Sequence, residues 1–165
     1  MSAAQDFTRL HASAVAFAQE GRNSQSKWSG VLILGRSGSG KSELALELIA
    51  LGAHLVADDQ TELHREGRTL WLMPPEQIKG MIELRRVGIL RASALDRAPL
   101  ALVVDLDATE TERLPQQHWI ELSGLAFPLL KNAPGRAFAI GLKHYLLARP
   151  WRDEEGLHAP APKHV

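Results

Sequence analysis

The segment Gly35-Arg-Ser-Gly-Ser-Gly-Lys41-Ser42 has the residue types and the spacing of a phosphate-binding loop. It fits the pattern G-x-x-x-x-G-K-[ST] at every fixed position, after an apolar run and before a helical pattern. Glycines let the backbone curl so that successive N–H groups point at phosphate oxygens. The Lys41 ammonium can reach the β- and γ-phosphates, and the Ser42 hydroxyl can bind Mg²⁺. A chance turn of Gly and Ser is the alternative. We predict that the nucleotide-binding residues are Gly35, Arg36, Ser37, Gly38, Ser39, Gly40, Lys41 and Ser42.

Two adjacent carboxylates, Asp58 and Asp59, follow the next apolar run, Leu55-Val56-Ala57. Neighbouring side chains on a strand point to opposite faces, so the two carboxylates would have different roles unless the strand has already ended. One carboxylate would hold Mg²⁺ through water, and the other would accept the proton of a substrate hydroxyl. An Asp pair that caps a turn or a helix is the alternative.

Three further acidic residues are candidates for the same chemistry. Asp105 and Asp107 close the apolar run Leu100–Leu106 and offer a rival metal or base site. Asp at the end of a strand more often stabilises a turn. Glu83 lies between apolar neighbours in Met81–Leu84, which by itself predicts an exposed position on a strand.

The elements that must position these residues are mostly short strands. Apolar runs and turn residues predict strands at 31–34, 55–57, 61–64, 69–72, 81–84, 87–90 and 100–106, with a hairpin turn at Arg65-Glu-Gly-Arg68. Helical spacing predicts helices over 42–51 and 137–148. Residues 8–18 fit a strand or a helix, and the polar segment 19–30 predicts a loop. The pattern indicates an α/β fold whose core is a mixed β-sheet, containing the phosphate loop and flanked by helices.

Length and composition exclude several classes of protein. The chain has 165 residues, so we expect one domain over residues 1–155, with a disordered tail over 156–165 that is rich in Pro and Gly. Lys plus Arg and Asp plus Glu both total 19, which argues against a nucleic-acid binder. The absence of cysteine excludes disulfides and thiolate chemistry. The apolar runs are too short to cross a membrane, so we expect a cytoplasmic protein.

The phosphate loop, the Asp58-Asp59 pair and Ile82-Glu-Leu-Arg-Arg-Val-Gly-Ile-Leu90 together resemble the catalytic domain of HPr kinase/phosphorylase. That family phosphorylates a serine of the phosphocarrier protein HPr and reverses the reaction with inorganic phosphate. The resemblance runs from about Leu10 to Tyr145. It implies the family's fold, Mg²⁺ and ATP as cofactors, an HPr-like phosphocarrier as partner, and a homo-oligomer, which is a hexamer in the family. We expect a short form without the family's separate N-terminal domain.

The resemblance also assigns roles to individual residues. Lys41 matches the family's phosphate-binding lysine, and Asp59 matches the group that accepts the proton in phosphorylation and returns it in the reverse reaction. His11 and Arg113 match an active-site histidine and arginine. The predicted metal ligands are Ser42, Asp58 and Glu83, and the predicted dephosphorylation segment contains Lys131, Pro134, Gly135 and Arg136.

Two departures from the family's pattern bear mainly on the reverse reaction. Arg86 replaces a glycine of the usual Glu-Ile-Arg-Gly-Leu-Gly segment, and the chain before Pro134 is about two residues longer. The leading hypothesis is a Mg-ATP-dependent protein-serine kinase that acts on an HPr-like phosphocarrier, with possible phosphorolysis. The alternatives are a small-molecule kinase and an ATP-sensing module without catalysis.

Overall fold

The computed structural model describes residues 7–19 and 28–148. Within them lie eleven strands and two α-helices. The strands are β1 (Phe7–Leu10), β2 (Ala12–Ala18), β3 (Trp28–Leu34), β4 (His54–Ala57), β5 (Thr61–Glu66), β6 (Thr69–Met73), β7 (Met81–Leu84), β8 (Gly88–Arg91), β9 (Ala98–Thr109), β10 (His118–Leu122) and β11 (Leu125–Asn132), and the helices are α1 (Lys41–Ala50) and α2 (Phe138–Ala148). The predicted strands and both predicted helices are confirmed to within a few residues.

Nine of the described strands form one branched sheet, in which the order is β1-β5-β6-β9-β3-β2-β4. At β9 the sheet branches, because β9 also pairs with β11 in parallel, and β11 pairs with β10. β3 is parallel to β9, whereas β2 runs antiparallel to both β3 and β4. β3, β4 and β9 therefore point in the same direction. β7 and β8 form a separate hairpin. The predicted mixed sheet is confirmed.

Both faces of the central strands are covered, which explains why these strands read as continuous apolar runs. Val31 and Ile33 of β3 belong to a buried cluster that includes residues of α1 and α2. Leu32, which lies between them, belongs to a second cluster with β5 and β6 on the opposite face. The helices thus pack on one side of the sheet, and the curled outer strands pack on the other.

Two segments differ from, or go beyond, what the sequence pattern predicts. Residues 8–18 are strand throughout, except for His11 between β1 and β2, and the alanines of β2 fit a strand that is buried on both faces. The predicted loop 19–30 is wrong at its end, because residues 28–30 begin β3, and its residues 20–27 lie outside the described residues. Gly30 lets β9 approach closely, since a Cβ there would lie 2.6 Å from the Pro99 carbonyl oxygen. β10 and β11 have no counterpart among the predicted elements.

The predicted tail, residues 156–165, lies outside the described residues. Neither of the two described helices, of 10 and 11 residues, is long enough and apolar enough to span a membrane.

Candidate active site

One edge of the sheet gathers His11, the phosphate loop and the Asp58-Asp59 pair. The strands β3, β4 and β9 all end there, and the antiparallel strand β2 begins there. The register places Ala12 opposite Leu34, and Leu34 opposite Asp105. His11, the loop after Leu34 and the acidic residues after β4 are therefore brought together by strand pairing, although they are far apart in the chain.

The loop between β3 and α1 has the backbone that its glycines predict. Gly35, Gly38 and Gly40 have φ values of 155°, 80° and 98°, which residues with a Cβ atom rarely adopt. No side chain of the described residues caps the first turn of α1, which leaves its N–H groups and its partial positive charge available to an anion. The buried Lys41 Nζ donates hydrogen bonds to the carbonyl oxygens of Gly35 and Arg36, at 2.7 and 3.0 Å.

Asp58 is the buried centre of the site, with an exposed fraction of only 4%. Its Oδ1 accepts hydrogen bonds from Ser13 Oγ at 2.7 Å and from Ser42 Oγ at 2.8 Å. Its Oδ2 accepts a third from the Glu83 backbone N–H at 3.0 Å. The carboxylate thus joins β2, α1 and β7 at one point. Sequence reasoning missed Ser13, although a serine in an otherwise apolar buried strand is a signal that its hydroxyl has a polar partner.

Asp59 lies beside Asp58 in the chain but in a different environment. β4 ends at Ala57, so the Asp pair follows the strand instead of continuing it. Asp59 adopts a left-handed φ of 66° and its side chain is 71% exposed. Its Oδ1 lies 3.2 Å from His11 Nε2, and the His11 ring is itself half exposed. The alternation of side chains along a strand therefore does not apply to this pair. The two carboxylates still differ, because Asp58 is buried and hydrogen-bonded whereas Asp59 is exposed at the cavity.

The hairpin β7–β8 supplies the wall opposite this pair. Glu83 and Arg85 both line a cavity of about 290 Å³. The other lining residues are His11, Ser37, Gly38, Gly40, Lys41, Ser42, Glu43, Asp58 and Asp59, whereas Gly35, Arg36 and Ser39 of the predicted nucleotide-binding loop are not among them. The Arg85 guanidinium packs against the phosphate loop, since a Cβ added at Gly38 would lie 3.5 Å from its Nη2. Sequence reasoning gave Arg85 no role. Arg85 lies in the turn directly after β7, and its place within the segment Ile82–Leu90 that carries the family resemblance was the available signal.

The rival pair, Asp105 and Asp107, does not line this cavity. Asp107 Oδ2 accepts a hydrogen bond from the Arg36 backbone N–H at 2.9 Å, so it anchors the phosphate loop from outside. The Asp107 N–H in turn donates to Asp105 Oδ1 at 2.9 Å. These contacts are the turn chemistry that an Asp at a strand end usually provides.

Arg113 and the predicted dephosphorylation segment are likewise not among the residues that line the cavity. Arg113 is exposed in the connection between β9 and β10, whereas Lys131 lies in β11 opposite Asp105. The two segments meet where the Glu110 N–H donates to the Asn132 carbonyl oxygen at 2.8 Å. Pro134, Gly135 and Arg136 are exposed in the turn before α2. The active-site roles of these residues stay predictions.

The oxygen donors around the cavity fit Mg²⁺ held jointly with a polyphosphate. No group of three or more His, Asp or Glu side chains suited to a metal ion occurs within the described part of the chain. Mg²⁺ does not need such a cage, because it usually keeps several waters and takes one or two carboxylates together with substrate phosphates. The hydrogen bond between Ser42 and Asp58 brings a hydroxyl and a carboxylate oxygen to one point, and the Glu83 carboxylate faces the same cavity.

Comparisons with known proteins point to one family. The family model "HPr Serine kinase C-terminal domain" matches residues 27–118. The HPr kinase/phosphorylase of Caldicellulosiruptor bescii is 40% identical over 126 residues, which are 67% of this chain and 40% of that protein. The HPr kinase/phosphorylase of Streptococcus pneumoniae (strain Hungary19A-6) is 39% identical over 115 residues, which are 62% of this chain and 37% of that protein. The chain thus spans about two fifths of the length of these curated relatives.

A solved structure supports the fold independently. The structure titled "Structure of the Hpr(Ser) kinase/phosphatase from Coxiella burnetii" matches with a TM-score of 0.65 and 23% sequence identity, covering 86% of this chain and 88% of that one. At this identity the match shows that the branched mixed sheet is shared. The family model covers more than half of the chain and includes the phosphate loop, the Asp pair and the β7–β8 hairpin. This chain belongs to the HPr serine kinase C-terminal domain family.

Proposed function

We propose that this protein is a Mg-ATP-dependent protein-serine kinase that phosphorylates an HPr-like phosphocarrier protein and can catalyse the reverse reaction with inorganic phosphate. One observation carries the proposal: a buried carboxylate bonded to the phosphate-loop serine lies next in sequence to an exposed carboxylate paired with a histidine. Binding a nucleotide needs only the first of these groups. An exposed carboxylate at the mouth has a use when a second substrate brings a hydroxyl.

The phosphate loop binds and orients the nucleotide. Its N–H groups and the N-terminus of α1 surround the phosphates, and Lys41 places its charge between the β- and γ-phosphates. Its hydrogen bonds to the carbonyl oxygens of Gly35 and Arg36 hold Lys41 Nζ within the phosphate loop. Ser42, Asp58 and Glu83 would hold the metal. When bound, Mg²⁺ neutralises charge on the phosphate oxygens during transfer.

Asp59 moves the proton. A serine hydroxyl is a weak nucleophile at neutral pH, and its proton must leave as the new P–O bond forms. The exposed carboxylate of Asp59 accepts that proton, and His11, 3.2 Å away, orients it. In the reverse direction the protonated Asp59 returns the proton to the serine oxygen while inorganic phosphate takes the phosphoryl group.

Intact mass spectrometry tests the proposal. The protein is incubated with Mg-ATP and an HPr-like phosphocarrier, and the carrier is then weighed. We expect one added phosphoryl group on serine with the wild type and none with Lys41→Ala, which loses the buried ammonium of the phosphate loop. A second incubation of phosphorylated carrier with inorganic phosphate tests the reverse reaction. ATP binding without transfer would support the sensing alternative and overturn the proposal.

A further inference from the structure

The β7–β8 hairpin has two chemically different faces. Ile82 is buried, and Leu90 opposite it packs against the same core cluster, so this face covers the core. Glu83 on the other face lines the cavity, and its register partner on β8 is Ile89. Directly opposite residues of an antiparallel pair share a face and have Cβ atoms about 5 Å apart. Ile89 therefore belongs to the same surface as the cavity wall.

This outer face exposes apolar side chains that the core does not use. Ile89 is 70% exposed, and Val87, in the turn of the hairpin, is 64% exposed. Single exposed apolar residues are ordinary on a protein surface. These two are separated by one glycine, and Ile89 shares its face of the hairpin with the cavity-lining Glu83, so we take them as a small apolar patch at the rim of the cavity. A partner whose hydroxyl reaches Asp59 must cover part of that rim.

The patch is surrounded by positive charge. Arg85 and Arg86 precede Val87, and Arg91 follows Ile89 by two positions, on the same face. All three are exposed, and none forms an ion pair with another residue in the described part of the chain. Arg86 also holds a φ of 66°, an uncommon conformation for a residue other than Gly, Asn or Asp. The face is thus apolar at its centre and basic around it.

We propose that this outer face, made of Arg85, Arg86, Val87, Ile89 and Arg91, is the docking surface for the protein phosphoacceptor. The acceptor would present an apolar patch bordered by carboxylates, next to the serine that enters the cavity. Charge complementarity selects such a partner and speeds its approach, and the apolar pair provides contact area that excludes water. This inference rests on the proposed function only for the identity of the acceptor.

The experiment separates docking from nucleotide binding and from chemistry. In the double variant Val87→Ser/Ile89→Thr we expect the KM for an HPr-like phosphocarrier to rise about tenfold, while the Kd for Mg-ATP stays unchanged. Ile140→Thr is the matched control, because Ile140 is 48% exposed on α2, outside the cavity, and carries the same exchange. Arg86→Gly removes a charge and suits the positive φ. We expect it to weaken carrier binding at low salt and to reduce the salt dependence of KM.

A direct binding measurement gives an answer even without transfer. Calorimetry of the carrier with the wild type and the double variant, in the presence of a non-hydrolysable ATP analogue, should show a loss of affinity of the same size. If the wild type transfers phosphate but the double variant binds the carrier normally, the inference is overturned and the proposed function stands. An equal loss in Ile140→Thr, or a change of oligomeric state in the double variant, would also overturn it. If the carrier does not bind the wild type at all, the inference fails whatever the transfer assay gives.

Discussion

Removal of the Asp58 carboxylate should destabilise the fold, whereas neutralisation of its neighbour Asp59 should not. In Asp58→Ala three donors lose their acceptor: the hydroxyls of Ser13 and Ser42 and the N–H of Glu83. In Asp59→Asn the side chain keeps its size and can still accept a hydrogen bond from His11. Asparagine also tolerates the left-handed φ of 66° at that position.

The magnitudes follow from burial. A hydrogen bond to a charged acceptor contributes about 1.5–3 kcal/mol, and a buried donor left without a partner costs about 1–3 kcal/mol. Ser13 is completely buried, whereas Ser42 and the Glu83 N–H are only part-buried and can be reached by water. Because water can replace part of the hydrogen bonds lost by Ser42 and by the Glu83 N–H, we count these two bonds at less than their full value. We therefore expect Asp58→Ala to lower the free energy of unfolding by about 3–5 kcal/mol. The exposed pair of Asp59 and His11 contributes about 0–1 kcal/mol.

Urea unfolding and phosphoryl transfer, measured on the same preparations, test this reasoning. We expect Asp59→Asn to keep wild-type stability and ATP affinity, and to lose about 10²-fold or more in both transfer rates, because it cannot take up the proton. Asp58→Asn should fall between the two variants in stability and should be partly rescued by added Mg²⁺. A stability loss in Asp59→Asn as large as in Asp58→Ala would refute the division into a buried and an exposed carboxylate. Normal turnover in Asp59→Asn would refute its role in proton transfer.

Four further outcomes are expected. Glu83→Gln should raise the Mg²⁺ concentration for half-maximal transfer several-fold, since a charged ligand becomes neutral, and a Mg²⁺ titration at fixed ATP measures this. Asp107→Ala should raise the KM for ATP about tenfold with little change in kcat, because the Arg36 N–H loses its anchor, and Asp107→Asn should restore it. Arg136→Ala should slow phosphate-dependent removal more than ATP-dependent addition, because a guanidinium can orient inorganic phosphate by paired hydrogen bonds, and equal losses would contradict this. The Glu110 carboxylate accepts hydrogen bonds from the backbone N–H groups of Glu112 and Thr111. These hydrogen bonds, together with nearby positive charges, hold the pKa of Glu110 below its usual 4.5. Its stabilising effect is therefore complete above pH 4.5 and disappears as the pH falls below that value, so the melting temperature of Glu110→Gln should lie below wild type at pH 7 and approach it in acid.

Elements whose stability is encoded over a short stretch were predictable. Glycines predict the phosphate loop, and the spacing of Leu44 and Leu48 predicts α1. The turns of the loop and the hydrogen bonds of the helix join residues that are close in the chain. The β5–β6 hairpin was likewise predicted from its turn around Gly67. In contrast, β11 contains Pro128, which normally argues against a paired strand, and its place depends on pairing with β9, more than 20 residues earlier in the chain.

The chemical groups of the site could be named without a fold, because the residue types and spacing of a phosphate loop and an Asp pair are visible in the chain. The different environments of those groups depend on contacts between distant parts of the chain. Asp58 is buried because Ser13 from β2 and Ser42 from α1 meet it, and Asp59 is exposed because β4 has ended and the chain turns outward. Asp107 anchors the phosphate loop because β9 lies parallel to β3 at that edge. These contacts join residues 16, 45 and 71 positions apart, and the packing of α1 and the pairing of strands distant in the chain bring them within hydrogen-bond distance.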